Sequence, residues 1–148
     1  MQTYSVEVVD WAEYLPVLRQ IRTEVFIQEQ QVPRELEWDD KDELALHVLA
    51  RDGEDEPVGT GRLLATGQIG RMAVLRKCRS RGAGSAIMNK LMQLARERRY
   101  DHLFLNAQVE AIPFYRRFGF VEQGPEFMEA GIAHRKMVYL PGRETSAP

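Results

Sequence analysis

Cysteine is almost absent. Cys78 is the single thiol in 148 residues, which excludes a disulfide framework and a cysteine-built metal site, and a reducing, cytoplasmic setting is expected. Long hydrophobic runs are missing as well: the uncharged apolar stretches span a handful of residues, against roughly 20 for a bilayer-crossing helix. Residues Met1–Asp10 hold neither a basic nor an apolar leader segment, so no signal peptide and no membrane partner are expected. Net charge is small too, with 20 Lys+Arg against 22 Asp+Glu, and nothing global points to nucleic acid. No His/Cys/Asp grouping has ligand spacing, so no metal is expected. What the chain does have is 44% hydrophobic and 28% charged residues, the balance of one soluble core. A single domain over residues 1–141 is expected, followed by a loose tail at 142–148.

The small net charge hides two opposed blocks. Arg71, Arg76, Lys77, Arg79 and Arg81 form a basic run without an acid, whereas Glu29, Glu35, Glu37, Asp39, Asp40, Asp42 and Glu43 crowd one short stretch. The ordinary reading of the acidic block is a solvated face; attraction of a cationic amine is the functional one.

Periodicity supplies the elements. Residues 3–9 alternate as a strand, and Asp10 and Glu13 have capping-box spacing ahead of helically spaced Trp11 to Phe26. Pro16 suits the first turn of a helix, which places the regular helix start there. Residues 30–43 read as a long loop or a short irregular helix. Strands are expected at Leu44–Arg51, Pro57–Ala65, Ile69–Leu75, Leu103–Ala107, Gly119–Glu122 and Ala133–Leu140, with helices at Gly82–Arg99 and Glu110–Phe118. Strands dominate the first half and βαβ units the second, which predicts an α/β or α+β sheet with some parallel pairing. Ligands favour the carboxyl ends of such strands.

One turn carries chemistry by itself. The strand ending at Leu75 leads into Arg79-Ser-Arg-Gly-Ala-Gly84 and then into an amphipathic helix. A helix start presents unpaired N–H groups and partial positive charge, glycines admit close approach, and arginines add full charges, so a polyphosphate fits there. Ile87 stands where a dinucleotide fingerprint needs its third glycine, and no Walker string occurs. Gly59-Thr-Gly61, inside a predicted strand, reads as a bulge or close-packing site. Cys78, beside the basic run, reads as a small filler side chain rather than a reactive thiol.

Arg79-x-x-Gly82-x-Gly84 resembles the Arg/Gln-x-x-Gly-x-Gly/Ala signature of the GNAT superfamily of acyl-CoA-dependent N-acyltransferases. Arg22–Gln30, Ile69–Val74, Asn106-Ala-Gln108, Phe114-Tyr-x-x-Phe-Gly-Phe120 and Ala130–His134 are similar to its ElaA/YjcF-like branch, so the resemblance spans most of the chain. It implies a mixed, V-splayed sheet of six or seven strands with helices on both faces. It also implies acetyl-CoA as donor, a primary amine on a small molecule or peptide as acceptor, and a homodimer by family habit. The pyrophosphate of coenzyme A would rest on the amides of Arg79, Ser80, Arg81, Gly82, Ala83, Gly84 and Ser85. The pantetheine arm would pair along Met72, Ala73 and Val74, one of whose N–H groups would polarise the thioester carbonyl. By the same resemblance Asn106 contacts the pantetheine or the substrate, Phe114 packs against the cofactor arm, and Tyr115 protonates the departing thiolate.

The chemistry asks for these parts independently. An alkylammonium near pKa 10.4 must lose a proton before it attacks, and a phenol is a proton donor at neutral pH. The general base stays open among Glu29, His47, His134 and a water relay. The acceptor pocket is expected from residues 30–43 and 124–134. Two other readings share the fold. An acyl-homoserine-lactone synthase would fit the early pattern of Arg22, Phe26, Glu37, Asp39, Asp42 and Arg62, and a non-catalytic acyl-CoA sensor would fit the turn alone.

Overall fold

In the computed structural model, which describes residues 3–144, the first helix starts where its cap lies. The Asp10 carboxylate accepts the Glu13 N–H at 2.9 Å, and α1 runs over Trp11–Arg22. Pro16 therefore sits inside α1 and not at its start, because the Asp10 cap satisfies the orphan donors a turn earlier. The helix then widens into π-helical Thr23–Glu29, with the Gln30 N–H reaching the Val25 carbonyl at 3.1 Å. Residues 30–43 hold a short helix, as one of the two expected forms: α2 (Arg34–Glu37) leads into a 3₁₀ turn at Asp42–Leu44.

Seven strands follow the order β1-β2-β3-β4-β5-β7-β6, with β1 Ser5–Val9, β2 Leu46–Arg51, β3 Pro57–Leu63, β4 Gln68–Val74, β5 Phe104–Gln108, β6 Phe120–Glu129 and β7 Ile132–Tyr139. All pairings are antiparallel except β4 with β5. The mixed sheet with helices on both faces is the expected fold. On one face α3 (Ala83–Glu97) buries Ile87, Met88 and Leu91 against Val48, Ala50 and Val58; on the other, Leu18, Ile21 and Val25 meet Val9, Leu49 and Ala73. Burial on both faces explains why β2 reads as one apolar run. Gly59 and Gly61 are close-packing positions: a Cβ on Gly61 would lie 2.8 Å from Ile87 Cγ2 and 2.9 Å from Leu91 Cδ1.

Two boundaries differ from expectation. A 3₁₀ turn at Arg76–Cys78 separates β4 from the basic turn, with Cys78 buried in the core. β6 extends well past Glu122, because Gly124 and Pro125 are absorbed by a register shift in this edge strand and Ala130-Gly131 close a hairpin to β7 with φ of 53° and 78°. The second short helix, α4, covers Ile112–Arg116 after a 3₁₀ turn at Val109–Ala111. Of the predicted tail, Glu144 accepts the Tyr139 hydroxyl at 2.8 Å, and residues 145–148 lie outside the described residues. No helix among the described residues is long and apolar enough to cross a membrane.

Candidate active site

The sheet opens in its middle. β4 and β5 pair only at Gln68↔Phe104 and Ile69↔Leu105; beyond that β4 follows β3 to Val74 and β5 follows β7 to Gln108. The divergence leaves a cleft of about 550 Å³ at the carboxyl ends of these strands. Met72, Asn106 and Tyr115 line it, with Phe26, Gln30 and Val32 on one wall and Glu129, Ile132 and His134 on the other. Gln108 Nε2 donates to Gln30 Oε1 at 2.9 Å, tying the two sides together.

β4 is itself irregular at the cleft. Thr60 pairs with Ala73 and Arg62 with Gly70, so Arg71 and Met72 share the place opposite Gly61. Arg71 is left-handed at φ 49°. A bulge of this kind leaves the extra residue outside the ladder, and on its β5 side this edge has no strand partner over Met72–Val74.

Beyond β4 comes the basic turn. Ser80 and Gly82 take φ of 60° and 100°, and Gly82 caps α3 without a side-chain bond. The Arg79 amide corrects one expectation: it donates to the Arg76 carbonyl at 3.2 Å to close the 3₁₀ turn, so the amides available to an anion run from Ser80 to Ser85, through Arg81, Gly82, Ala83 and Gly84. The Arg79 side chain is engaged too. Its Nε donates to the Val74 carbonyl at 2.9 Å, and its two terminal nitrogens grip both oxygens of Glu29. The Arg79 hydrogen bond holds the Glu29 carboxyl below its ordinary value. Phe114 lies over the start of α3, its Cζ 3.4 Å from where a Cβ on Gly84 would stand, and Arg117 donates to Ser85 Oγ at 3.0 Å. These groups suit a diphosphate: a 15-residue helix start, a glycine cap open to close approach, and Arg76, Lys77 and Arg81 around it.

The sequence-selected side chains separate into groups. Tyr115 lines the cleft with its hydroxyl 3.9 Å from Met72 Sδ, and burial pushes its phenol up to about 12, so it keeps its proton at neutral pH. His134 lines the opposite wall. Its Nδ1 lies 2.7 Å from the Ile132 carbonyl, which only accepts, so Nδ1 carries a hydrogen, and Nε2 faces the cleft wall 3.7 Å from Glu129 Oε2, an ion pair when the ring is protonated. His47 does not join them. It is buried under α1, stacked on Trp11 at 4.6 Å and bonded to the Asp42 carbonyl at 2.8 Å, and burial pushes its imidazole below the ordinary value. Glu29 is not in the acceptor half of the cleft but on Arg79.

The acidic block is a solvated face only in part: Glu35, Asp40 and Glu43 are exposed. Glu37 and Asp42 are buried, not solvated. Arg22 Nε donates to Glu37 at 2.6 Å and its Nη1 to Asp42 at 2.9 Å; Arg62 reaches Asp42 and Asp39, both at 2.9 Å. Trp11 and Trp38 bracket the Arg22 guanidinium at 5.4 and 4.8 Å. Burial pushes Glu37 up despite its arginines, while for Asp39 burial is outweighed by Arg62, the Lys41 N–H and Arg71 together, which lower it. Gln30 and Glu129 fall in the two segments expected to build the acceptor pocket, whereas Arg71, grouped with the basic run, and the Gln30–Gln108 bridge were not expected at the cleft. A lone arginine in the apolar strand Ile69–Leu75 was the signal for Arg71.

Among the described residues no group of three or more His, Cys, Asp or Glu is arranged to hold a metal. The profile of the acetyltransferase (GNAT) domain matches residues 3–141. The chain belongs to the GNAT acetyltransferase family. It is 40% identical over 122 residues to the uncharacterized N-acetyltransferase YjcF of Bacillus subtilis, a match covering 80% of this chain and 86% of YjcF. The crystal structure of Escherichia coli ElaA superposes with a TM-score of 0.81 at 27% identity, covering 92% of this chain and 99% of ElaA. An acyl-CoA N-acyltransferase from Pseudomonas aeruginosa gives 0.80 at 28% identity, covering 95% and 100%. These GNAT relatives agree with the ElaA/YjcF-like branch and with the splayed seven-stranded sheet.

Proposed function

We propose that this GNAT protein transfers an acetyl group from acetyl-CoA to a primary amine of a small molecule or peptide by direct attack. The observation that carries the reading is a proton donor, Tyr115, and a proton acceptor, His134, lining one cleft that starts at an unpaired strand edge and lies beside a diphosphate-suited turn. Acetyl-CoA supplies the acyl group as a thioester. Ser80–Ser85 hold its diphosphate, and Met72–Val74 align the arm as an added strand, with Asn106 across the cleft. Phe114 packs at the turn end of the arm.

His134 Nε2 takes a proton from the entering ammonium, which frees the lone pair for attack on the thioester carbon. A backbone N–H at the β4 bulge meets the charge that grows on the carbonyl oxygen. As the C–S bond breaks, the Tyr115 hydroxyl gives its proton to sulfur. The amine loses two protons in all: one leaves through His134, and the other restores Tyr115. Glu29, held as a carboxylate by Arg79, shapes the donor turn and takes no proton.

The test is Tyr115→Phe and His134→Gln, assayed by thiol release over a panel of primary amines, with acetyl-CoA affinity measured alongside. Removal of either group lowers turnover about 10²-fold or more and leaves acetyl-CoA affinity within threefold. The His134→Gln loss shrinks as pH rises toward the acceptor's own pKa, because the amine then arrives neutral. Full turnover in both variants overturns these roles. Wild-type protein that binds acetyl-CoA but acetylates no amine overturns the enzyme reading in favour of a sensor.

A further inference from the structure

Arg71 sits at the strained point of the β4 bulge, and everything its guanidinium holds lies on one short segment across the cleft. Nη2 donates to the carbonyls of Leu36 and Glu37, both at 3.3 Å, and to Asp39 Oδ2 at 3.1 Å. Nε lies 3.4 Å from Glu37 Oε1 without a formed hydrogen bond. Glu37 and Asp39 are in turn fixed from behind by Arg22 and by a two-pronged contact from Arg62, at 2.9 and 3.2 Å. Arg62 is on β3 opposite Gly70, next to the bulge. Leu36, Glu37, Asp39, Arg62 and Arg71 all line the cleft.

Two features set this apart from an ordinary surface lattice. A residue with a side chain at φ 49° persists only when its surroundings over-determine it, and here the surroundings are α2 and the residues after it. The bulge is also the stretch of β4 that leaves the ladder beside Met72, the edge to which the transfer reaction assigns carbonyl polarisation. The donor turn, by contrast, is tied to Glu29 through Arg79 and shares no ion pair with this lattice.

We infer that Glu37 and Asp39 are positioning residues for acyl transfer: through Arg71 they hold the β4 bulge, and so the backbone donor beside Met72, in its working geometry. The acceptor-side wall and the carbonyl-polarising edge form one unit. The inference rests on the transferase reading. Loss of the tether lowers the rate of transfer and leaves donor binding intact.

Asp39→Asn tests this with little risk to folding, since Asp39 is partly exposed and Arg62 keeps Asp42 at 2.9 Å. Arg71→Gly removes the tether but keeps a residue that accepts positive φ, and Arg71→Lys restores charge without the fork. Steady-state kinetics are run well below each melting point, with hydrogen exchange read at residues 71–73. Asp39→Asn and Arg71→Gly are expected to lower kcat 10- to 100-fold, with KM and Kd for acetyl-CoA within threefold. Amide exchange at 71–73 quickens at least tenfold while that at 58–63 does not change, and Arg71→Lys recovers part of kcat. Unchanged kcat with only a lower melting point overturns the tether, as does a loss confined to acetyl-CoA affinity. Wild-type protein inactive toward every amine sinks the transferase reading and this inference together; an active wild type with unaltered variants sinks the tether alone.

Discussion

The two charge blocks end in opposite states. In the basic block the Arg76 side chain is 78% exposed and that of Arg79 36%, with Glu29 as the acid that meets both. In the acidic block Glu37 and Asp42 have side chains 3% and 5% exposed, closed off by Arg22 and Arg62. The first keeps a surplus of positive charge at the surface, at the turn proposed to hold the diphosphate. In the second, Glu37 and Asp42 are neutralised inside the protein, with Arg71 of the basic run among the partners of Glu37, while Glu35, Asp40 and Glu43 stay exposed. Charge density along the sequence does not distinguish the two; what decides is whether counter-charges arrive from elsewhere in the fold.

Breaking each side should therefore have different consequences. The largest effect is expected on the closed side. Asp42→Ala strips a shared acid from Arg22 and Arg62 and leaves each buried cation with one carboxylate, Glu37 and Asp39, a loss of about 3 kcal/mol, or roughly 10 °C in melting temperature for a chain of this size. Urea denaturation reads it directly. A change below about 1 kcal/mol would mean that the lattice is solvated after all.

On the open side the effect shifts from stability to affinity. Glu29→Gln frees Arg79 from its carboxylate and lets the turn relax, and calorimetry should find acetyl-CoA bound about tenfold more weakly, near 1.4 kcal/mol. The pair also sets a pH limit. Because Arg79 depresses the folded-state value of Glu29, its contribution is complete above the ordinary carboxylate range and disappears as pH falls through the lowered value. The wild-type turn therefore keeps its pair at mildly acidic pH, and the Glu29→Gln protein loses that part of the acid dependence.

The smallest effect is ionic. Arg76→Ala should alter stability by no more than about 0.5 kcal/mol, yet flatten the fall of acetyl-CoA affinity with added salt, because exposed charges are screened beyond roughly 8 Å at physiological ionic strength. Titrations at low and high salt separate the two. An equal slope for both proteins would place the anion elsewhere.

The same contrast explains what was legible in the sequence. The proposed donor half starts from neighbours along the chain: a strand, a basic glycine turn and a helix start. Local pattern carries these parts, but not the Arg76–Cys78 turn that occupies the Arg79 amide nor the pairing of Arg79 with Glu29, 50 residues away. The acceptor half is built from partners 15 to 35 residues apart, as with Arg22 and Glu37, Arg62 and Asp39, or Arg71 and Leu36. No window along the sequence holds both members. His47 and His134 show the limit at single-residue scale. Both stand in strands, and β2 is buried on both faces, so alternation does not reveal that His47 lies under Trp11 while His134 meets the cleft. The length of β6 was hidden for a related reason: Gly124 and Pro125 look like a stop, and only the register against β7 shows that the strand continues.

The most direct test of the donor site is the melting temperature of the purified protein with and without acetyl-CoA, with NADH and ATP as controls. Ligand at about 100 times its dissociation constant adds roughly 2.7 kcal/mol, worth about 5–10 °C here. Acetyl-CoA is expected to give that rise, and the controls no comparable one. No shift at millimolar acetyl-CoA, or an equal shift with ATP, would contradict a donor site built at the splay of β4 and β5.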